Sequence, residues 1–220
     1  IESLYKTGNH PLISVCIRRK GQMILNRSLG YAQGNTANGL AKDALIATPD
    51  SPVCLFSASK IVTAMLIHML DETGEINLLD PISHYIPEYA QNGKSRATIF
   101  HLLSHRGGIP RIEMEVTPEL LFDREQILHH LFAAKPLLPA GTHLAYHAVT
   151  AGYVLGELIE RVTGQDIRQF LHERIEKPMG MDYFNYGLKS KLRDQVALSA
   201  ATGIHPKLGT DFYLDHVLGG

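Results

Sequence analysis

The stretch Phe56-Ser57-Ala58-Ser59-Lys60 decides the fold, because it opens the first strongly helical segment of the chain. Apolar residues occupy nearly every face between Ser57 and Thr73, and Gly74 supplies a C-terminal stop. The sequence therefore predicts a buried helix that begins at Ser57. A serine at a helix start lies beside unsatisfied backbone N–H groups, and a lysine three residues later lies one turn on, on the same face.

Two interpretations of Ser57 and Lys60 compete. In the first, Ser57 only caps the helix and Lys60 is a solvated charge. A capping box needs Glu or Gln at the third helical position, and a lysine there faces the positive end of the helix dipole at a cost of ~0.3 to 1 kcal/mol. In the second, Lys60 is buried among Phe56, Ile61 and Ala64, so that desolvation and the dipole favour its neutral form. A neutral amine accepts a proton from the serine hydroxyl.

Composition narrows the class of protein. With 220 residues, 45% of them hydrophobic and 20% charged, the chain can bury one sizeable core. A net charge of -1 provides no basic field, so no nucleic-acid partner is predicted. The longest apolar stretch, residues 61–70, is interrupted by His68 and is about half the length that spans a bilayer, so no transmembrane segment is predicted. Because the first residue is Ile1, we expect any leader to have been trimmed. The sequence does not distinguish a cytoplasmic location from a periplasmic or secreted one, and it does not specify the oligomeric state.

The rest of the chain combines one β-hairpin with several helices. Residues 12–19 alternate apolar and polar side chains, Lys20-Gly21 offers a turn, and residues 22–27 resume the β pattern. Residues 30–50 are predicted to form a loop. Helices are predicted over residues 98–103, 117–134, 148–162 and 166–175. Because a two-stranded sheet is marginal and exposes unpaired edges, we expect further strands beyond Gly220.

Several stretches, in order, resemble the serine hydrolases of the class C β-lactamase-like family, which includes family VIII-type esterases, β-lactamases and D-alanyl-D-alanine peptidases. The resemblance covers roughly residues 12–183. The stretches are Phe56-Ser57-Ala58-Ser59-Lys60, Leu70-Asp71-Glu72-Thr73-Gly74, His101-Leu102-Leu103-Ser104-His105-Arg106-Gly107-Gly108, Pro139-Ala140-Gly141 followed by Tyr146, Gly152-Tyr153-Val154-Leu155-Gly156-Glu157, and Lys177-Pro178-Met179-Gly180-Met181.

This resemblance implies an α+β, β-lactamase/transpeptidase-like fold. We expect an antiparallel sheet flanked by helices in one domain over residues 1–220, incomplete at its C-terminus, with a mostly helical subdomain over about 80–134. It also implies that Tyr146 lies opposite Lys60 near Ser57, takes the serine proton and later activates the deacylating water. Considered alone, a tyrosine at this place in the sequence is more often a half-buried core residue than a catalytic group. The expected oxyanion donors are the backbone N–H of Ser57 and one from a later strand.

The sequence departs from the family pattern after Tyr146. The family's Y-x-N motif appears as Tyr146-His147-Ala148, so the asparagine that commonly contacts a substrate amide is replaced by Ala148. This replacement favours esters over amides, and His147 and Ala148 are the predicted substrate-binding residues. Lys207-Leu208-Gly209 matches the letters of the family's K-T-G motif, but it follows Tyr146 too closely and is predicted to be a surface turn.

Histidines offer the remaining candidates. His143 and His147 are four residues apart and would share one face of a helix, but the turn at Pro139-Ala140-Gly141 argues against a helix there. We therefore expect them to pack locally or line a pocket rather than bind a metal. His105 resembles a structural histidine of the family that holds its loop by hydrogen bonds. Neither a metal nor an organic cofactor is implied.

These observations predict a serine hydrolase that forms an acyl-enzyme on Ser57, with Lys60 and Tyr146 as the other catalytic residues. The predicted partner is a small-molecule ester, and the chain is predicted to be a carboxylesterase. The alternatives are a β-lactamase or D-alanyl-D-alanine carboxypeptidase, acting on a β-lactam or peptide, and a non-catalytic penicillin-binding-like regulatory module that keeps the serine and lysine as relics.

Overall fold

The computed structural model describes residues 1–36, 39–112, 117 and 119–199. The described residues form two compact units. The first contains Ile1–Phe56 and residues 187–199, and the second contains Ser57–Tyr186. The expectation of one domain with a helical subdomain over about 80–134 stays a prediction.

The first unit is built on a β-hairpin. Strands β1 (Leu12–Arg19) and β2 (Gln22–Gly30) pair antiparallel, after the short helix α1 (Glu2–Tyr5). The turn residues Lys20 and Gly21 both have positive φ, at 50° and 78°, as a type I′ turn requires. The hairpin predicted from the alternating pattern is therefore confirmed.

The segment predicted as loop, residues 30–50, contains two short strands. Strands β3 (Asn35–Thr36) and β4 (Gly39–Leu40) pair antiparallel, and Tyr31 forms an isolated bridge with Ile46. The loop prediction was wrong for these residues. Strands of two residues are too short to produce a detectable alternation of side chains.

The second unit is mostly helical. Its α-helices are α2 (Ser59–Glu72), α3 (Ile82–Tyr85), α4 (Ile99–Leu103), α5 (Arg124–Ala133), α6 (Thr150–Thr163) and α7 (Ile167–Leu171). The irregular 3₁₀ segment Pro87–Gly93, the 3₁₀ turn Leu120–Phe122 and the π-helical turn His172–Glu176 lie between or after them. None of the helices in the described part of the chain combines the length and the hydropathy of a membrane-spanning segment.

The core of the second unit lies among α2, α5 and α6. Helix α6 packs against both α2 and α5. The sequence predicted that α2 is buried on nearly every face, and this was wrong for one side, where Ile61 and Met65 are 67% and 47% exposed. A helix packed against a neighbour on one side buries only that stripe. The buried stripe of α2 consists of Val62, Thr63, Leu66, Ile67 and Leu70.

The predicted helical segment over residues 117–134 is interrupted at Asp123. The hydroxyl of Thr117 accepts a hydrogen bond from Leu120 N at 3.3 Å, but only a 3₁₀ turn follows it. Helix α5 then starts anew, because the carboxylate of Asp123 accepts a hydrogen bond from Gln126 N at 3.0 Å. Aspartate is a stronger helix N-cap than threonine, so the prediction of one continuous helix from Thr117 was wrong at Asp123. Pro118 lies outside the described residues.

A buried lysine joins the C-terminus of α5 to the segment Pro87–Gly93. The ammonium group of Lys94 donates hydrogen bonds to the carbonyls of Gln91 and Phe132, both at 2.9 Å, and to that of Ala134. The last carbonyls of a helix have no intrahelical partners, and a cation also matches the negative end of the helix dipole. Lys94 therefore supplies a donor to the carbonyls of Phe132 and Ala134 at the end of α5, while Gln91 O also accepts from the backbone N–H of Lys94 at 3.2 Å.

We expect Lys94→Met to lower the free energy of unfolding by about 2 to 4 kcal/mol, because methionine fills similar space but leaves the carbonyls of Phe132 and Ala134 without this donor. Urea denaturation measures the effect. Lys42→Met, at an exposed lysine, serves as the matched control and should change stability by less than about 0.5 kcal/mol. Equal stability of the two variants would show that the buried ammonium is not needed.

Candidate active site

The chain turns sharply just before α2. Phe56–Ala58 form a 3₁₀ turn, and Phe56 has a positive φ of 45°, a conformation that is strained for a bulky residue. The N-cap of α2 is Ala58, and no side chain caps the helix. Ser57 therefore does not cap α2, so the simpler interpretation of this serine as a capping residue was wrong. Its exposed hydroxyl is available for other contacts.

The side chains of Lys60 and Tyr146 both reach the hydroxyl of Ser57. The Nζ of Lys60 donates to Ser57 Oγ at 3.4 Å, as expected from their spacing on one helical turn. The hydroxyl of Tyr146 donates to the same oxygen at 2.8 Å. The Nζ of Lys60 also lies 5.0 Å from the centroid of the Tyr146 ring. The structure thus brings together the three residues predicted to be catalytic, although their catalytic roles stay predictions.

The surroundings of Tyr146 favour its phenolate form. Its pKa is lowered from the ordinary value, first by the hydrogen bond with Ser57, then by the hydrogen bond and charge of Lys60, while partial burial opposes the shift. A phenol with a lowered pKa is deprotonated more often near neutral pH. Tyr146 is thereby better suited than an isolated tyrosine to accept a proton.

The environment of Lys60 differs from the predicted apolar pocket. Phe56 and Ile61, which were expected to be buried around it, are 68% and 67% exposed. Lys60 itself is half-buried. The effect of Lys60 that the structure supports is on Tyr146, because the hydrogen bond and the charge of the lysine both lower the pKa of that tyrosine.

The two predicted substrate-binding residues follow Tyr146 directly. His147 is buried, with 1% of its surface exposed; its Nε2 accepts from Ile109 N at 3.2 Å, and its Nδ1 lies 2.6 Å from the carbonyl oxygen of Ala145. Because Nε2 accepts, Nδ1 must carry the proton and donate. Desolvation, partly opposed by this hydrogen bond, lowers the pKa of His147, so the ring is neutral. Ala148 is half-buried, and the substrate-binding roles of both residues stay predictions.

Two residues that were not predicted from the sequence, Thr150 and Gly107, contact the Ile109 backbone or leave room for the His147 ring. The buried hydroxyl of Thr150, the first residue of α6, donates to Ile109 O at 2.7 Å. A Cβ on Gly107 would lie 3.1 Å from His147 Nε2, so a larger residue there would crowd the ring. A threonine at a helix start is a recognisable pattern, but its partner lies 41 residues earlier and no local pattern identifies it.

The remaining candidates from the sequence are His143 and the segment Lys207-Leu208-Gly209. His143 is exposed, and its Nδ1 contacts Thr142 Oγ1 at 3.0 Å. Within the described part of the chain, no group of three or more His, Cys, Asp or Glu could hold a metal ion. Lys207-Leu208-Gly209, predicted to be a surface turn, lies outside the described residues.

Comparisons with known proteins identify the family and the fold to which the chain is similar. The Beta-lactamase family model matches residues 1–217. The esterase/beta-lactamase LipL of Mycobacterium tuberculosis (strain ATCC 25618 / H37Rv) is 33% identical over 138 residues, which is 63% of this chain. The crystal structure of a penicillin-binding protein homolog from Caulobacter crescentus superposes with a TM-score of 0.82 and 29% identity over 98% of this chain. A family VIII carboxylesterase superposes with a TM-score of 0.79 and 27% identity over 89%.

The chain spans only part of each of these relatives. It covers 32% of LipL, 58% of the Caulobacter crescentus protein and 52% of the family VIII carboxylesterase.

Proposed function

The chain belongs to the beta-lactamase family, and from this premise we propose that its protein is a serine hydrolase that cleaves carboxylic esters through an acyl-enzyme on Ser57. The α+β, β-lactamase/transpeptidase-like fold predicted from the sequence is confirmed by the solved structures it matches. The observation that carries the proposal is the convergence of Lys60 and Tyr146 on the oxygen of Ser57.

The acylation step uses all three side chains. Ser57 Oγ attacks the carbonyl carbon of the ester while its proton passes to the deprotonated oxygen of Tyr146, 2.8 Å away. Lys60 stabilises the phenolate before the transfer, because its positive charge favours the ionised form. The backbone N–H of Ser57 is the first donor to the negative oxygen of the tetrahedral intermediate.

Collapse of this intermediate completes the first half of the reaction. The bond from the carbonyl carbon to the alcohol oxygen breaks, and Tyr146 returns its proton to the departing alcohol. In the second half, Tyr146 takes a proton from water, and the resulting hydroxide attacks the acyl group on Ser57. The carboxylic acid leaves, and the serine regains its proton from Tyr146.

Ala148 supports an ester as the substrate. An asparagine at this position would offer an amide donor and an acceptor to a substrate amide, whereas the methyl group of alanine offers neither. An ester has no N–H at the scissile bond and loses less from the replacement. LipL is named an esterase/beta-lactamase and one matched structure is a carboxylesterase, which supports ester hydrolysis within this family.

β-Lactam or D-alanyl peptide hydrolysis is the second candidate. Two similarities favour it: LipL is described as an esterase and a beta-lactamase, and one matched structure is a penicillin-binding protein homolog. The same acylation chemistry at Ser57 serves both candidates, so the residues that contact the substrate decide between them. A non-catalytic module is the remaining alternative, and it predicts an unreactive Ser57.

A fluorophosphonate probe tests whether Ser57 is a nucleophile. We expect labelling of the full protein at Ser57, located by peptide mass analysis, and loss of labelling in Ser57→Ala with a fall in kcat/KM for a short-chain aryl ester of at least about 1,000-fold. Ser59→Ala, two residues away, is the matched control and should be labelled normally. An unlabelled wild-type protein would favour the non-catalytic module.

Ala148→Asn tests the choice of substrate. The new amide should raise kcat/KM for a chromogenic cephalosporin about 10-fold, which corresponds to one hydrogen bond of ~1.4 kcal/mol, and leave aryl-ester turnover within about 3-fold. Ala148→Leu adds volume without an amide and controls for size. If wild-type protein already turns over the cephalosporin rapidly and leaves the ester intact, the proposed ester specificity is wrong.

A further inference from the structure

Tyr146 lies in an irregular segment before α6, and His105 holds that segment at several points. The carbonyl of His105 accepts from Ala145 N at 2.9 Å, and its Nδ1 accepts from His147 N at 3.2 Å. Between these two hydrogen bonds, the His105 ring meets the Tyr146 ring edge to face, with centroids 4.9 Å apart and planes at 68°. One residue therefore fixes the backbone on both sides of Tyr146 and also contacts its ring.

The backbone of His105 is adapted to these contacts. Its φ of 58° lies in the left-handed region, which costs a non-glycine residue about 1 to 2 kcal/mol. The strained conformation comes just after α4, which ends at Leu103. It directs both the carbonyl and the ring of His105 toward the segment that carries Tyr146.

These contacts require a neutral imidazole. Nδ1 accepts the hydrogen bond from His147 N only while it carries no proton. Burial, and then the charge of Lys60, lower the pKa of His105. Among the described residues, Lys60 acts on His105 through its charge, Tyr146 meets it edge to face, and the neutral ring of His147 stacks on it at 5.9 Å. Arg106, the next residue, is exposed.

We propose that His105 is the positioning residue of Tyr146, and that protonation of His105 in mild acid releases Tyr146 from Ser57. Protonation removes the acceptor for His147 N and places a second cation beside Lys60. The tyrosine then loses the support that holds its hydroxyl 2.8 Å from the serine oxygen. The effect on turnover rests on the proposed hydrolase function, whereas the effect on Tyr146 does not.

The direction of the pH effect follows from the lowered pKa. The folded protein binds a proton at His105 less readily than the unfolded chain does. The support is therefore complete above the ordinary histidine pKa of about 6.5, and it is lost only as the pH falls through the lower pKa of the folded protein. Near this lower pKa, the loss of support from neutral His105 adds to the protonation of the Tyr146 phenolate. We therefore expect log kcat to fall more steeply with decreasing pH there than at higher pH.

Two substitutions separate positioning from general stability. His105→Ala removes the side-chain acceptor and the ring. His105→Asn keeps an acceptor oxygen near the position of Nδ1, tolerates positive φ and does not titrate. His129→Asn, at an exposed histidine of α5, is the matched control.

In the full protein, His105→Ala should lower kcat for an aryl ester roughly 10- to 100-fold with KM within about 2-fold, because a small displacement of a catalytic group mainly slows chemistry. His105→Asn should recover most of kcat at pH 7.5 and lose the steeper acid segment. His129→Asn should match wild type. Unchanged kcat in His105→Ala, or an unchanged acid segment in His105→Asn, would overturn the proposal.

A spectroscopic readout keeps the test independent of turnover. In protein labelled with [13Cζ]tyrosine, the Tyr146 resonance, assigned by its absence in Tyr146→Phe, should shift as His105 titrates, and this inflection should vanish in His105→Asn. Persistence of the inflection at the same pH would overturn the proposal even if His105→Ala does not fold. If His105→Asn loses the inflection but Ser57→Ala keeps full esterase activity, the role of His105 stands and only the proposed hydrolase function is rejected.

Discussion

The hydrogen bond from the Tyr146 hydroxyl to Ser57 Oγ is the interaction on which the site depends. It joins residues 89 positions apart, whereas Lys60 reaches Ser57 within one helical turn. The lysine contact follows from local geometry, but the tyrosine contact exists only when the intervening chain is folded. The packing of α6 against α2 and the hydrogen bonds of His105 to the segment before α6 therefore together place the Tyr146 hydroxyl next to Ser57.

Local strain accompanies this contact on both sides. Phe56, just before Ser57, and His105, beside Tyr146, both have positive φ. Each such residue costs free energy that the surrounding packing must offset, and strain of this kind collects at sites where exact placement matters. The lowered pKa of Tyr146 has the same origin in placement, because Ser57 and Lys60 lower it only from within hydrogen-bonding distance.

Sequence patterns predicted what short-range physics determines. The hairpin was predicted from alternation, and the proximity of Ser57 and Lys60 from helical spacing. The break at Asp123 was missed because the threonine-proline pair appeared to be a sufficient helix start. The position of Tyr146 came only from family resemblance, since a single tyrosine before a helix carries no local pattern. The exposure of Ile61 could not be predicted, because an apolar side chain does not specify which face of its helix is packed.

The central claim is that Ser57, Lys60 and Tyr146 act as one unit. Single-turnover acylation by an aryl ester, measured for Lys60→Met, Tyr146→Phe and the double variant, tests it most directly. We predict that each single change slows acylation at least about 100-fold and that the double variant is no slower than the slower single variant within about 3-fold, because either change already disables the unit. Effects that multiply in the double variant would show that the lysine and the tyrosine act independently, and would contradict the account.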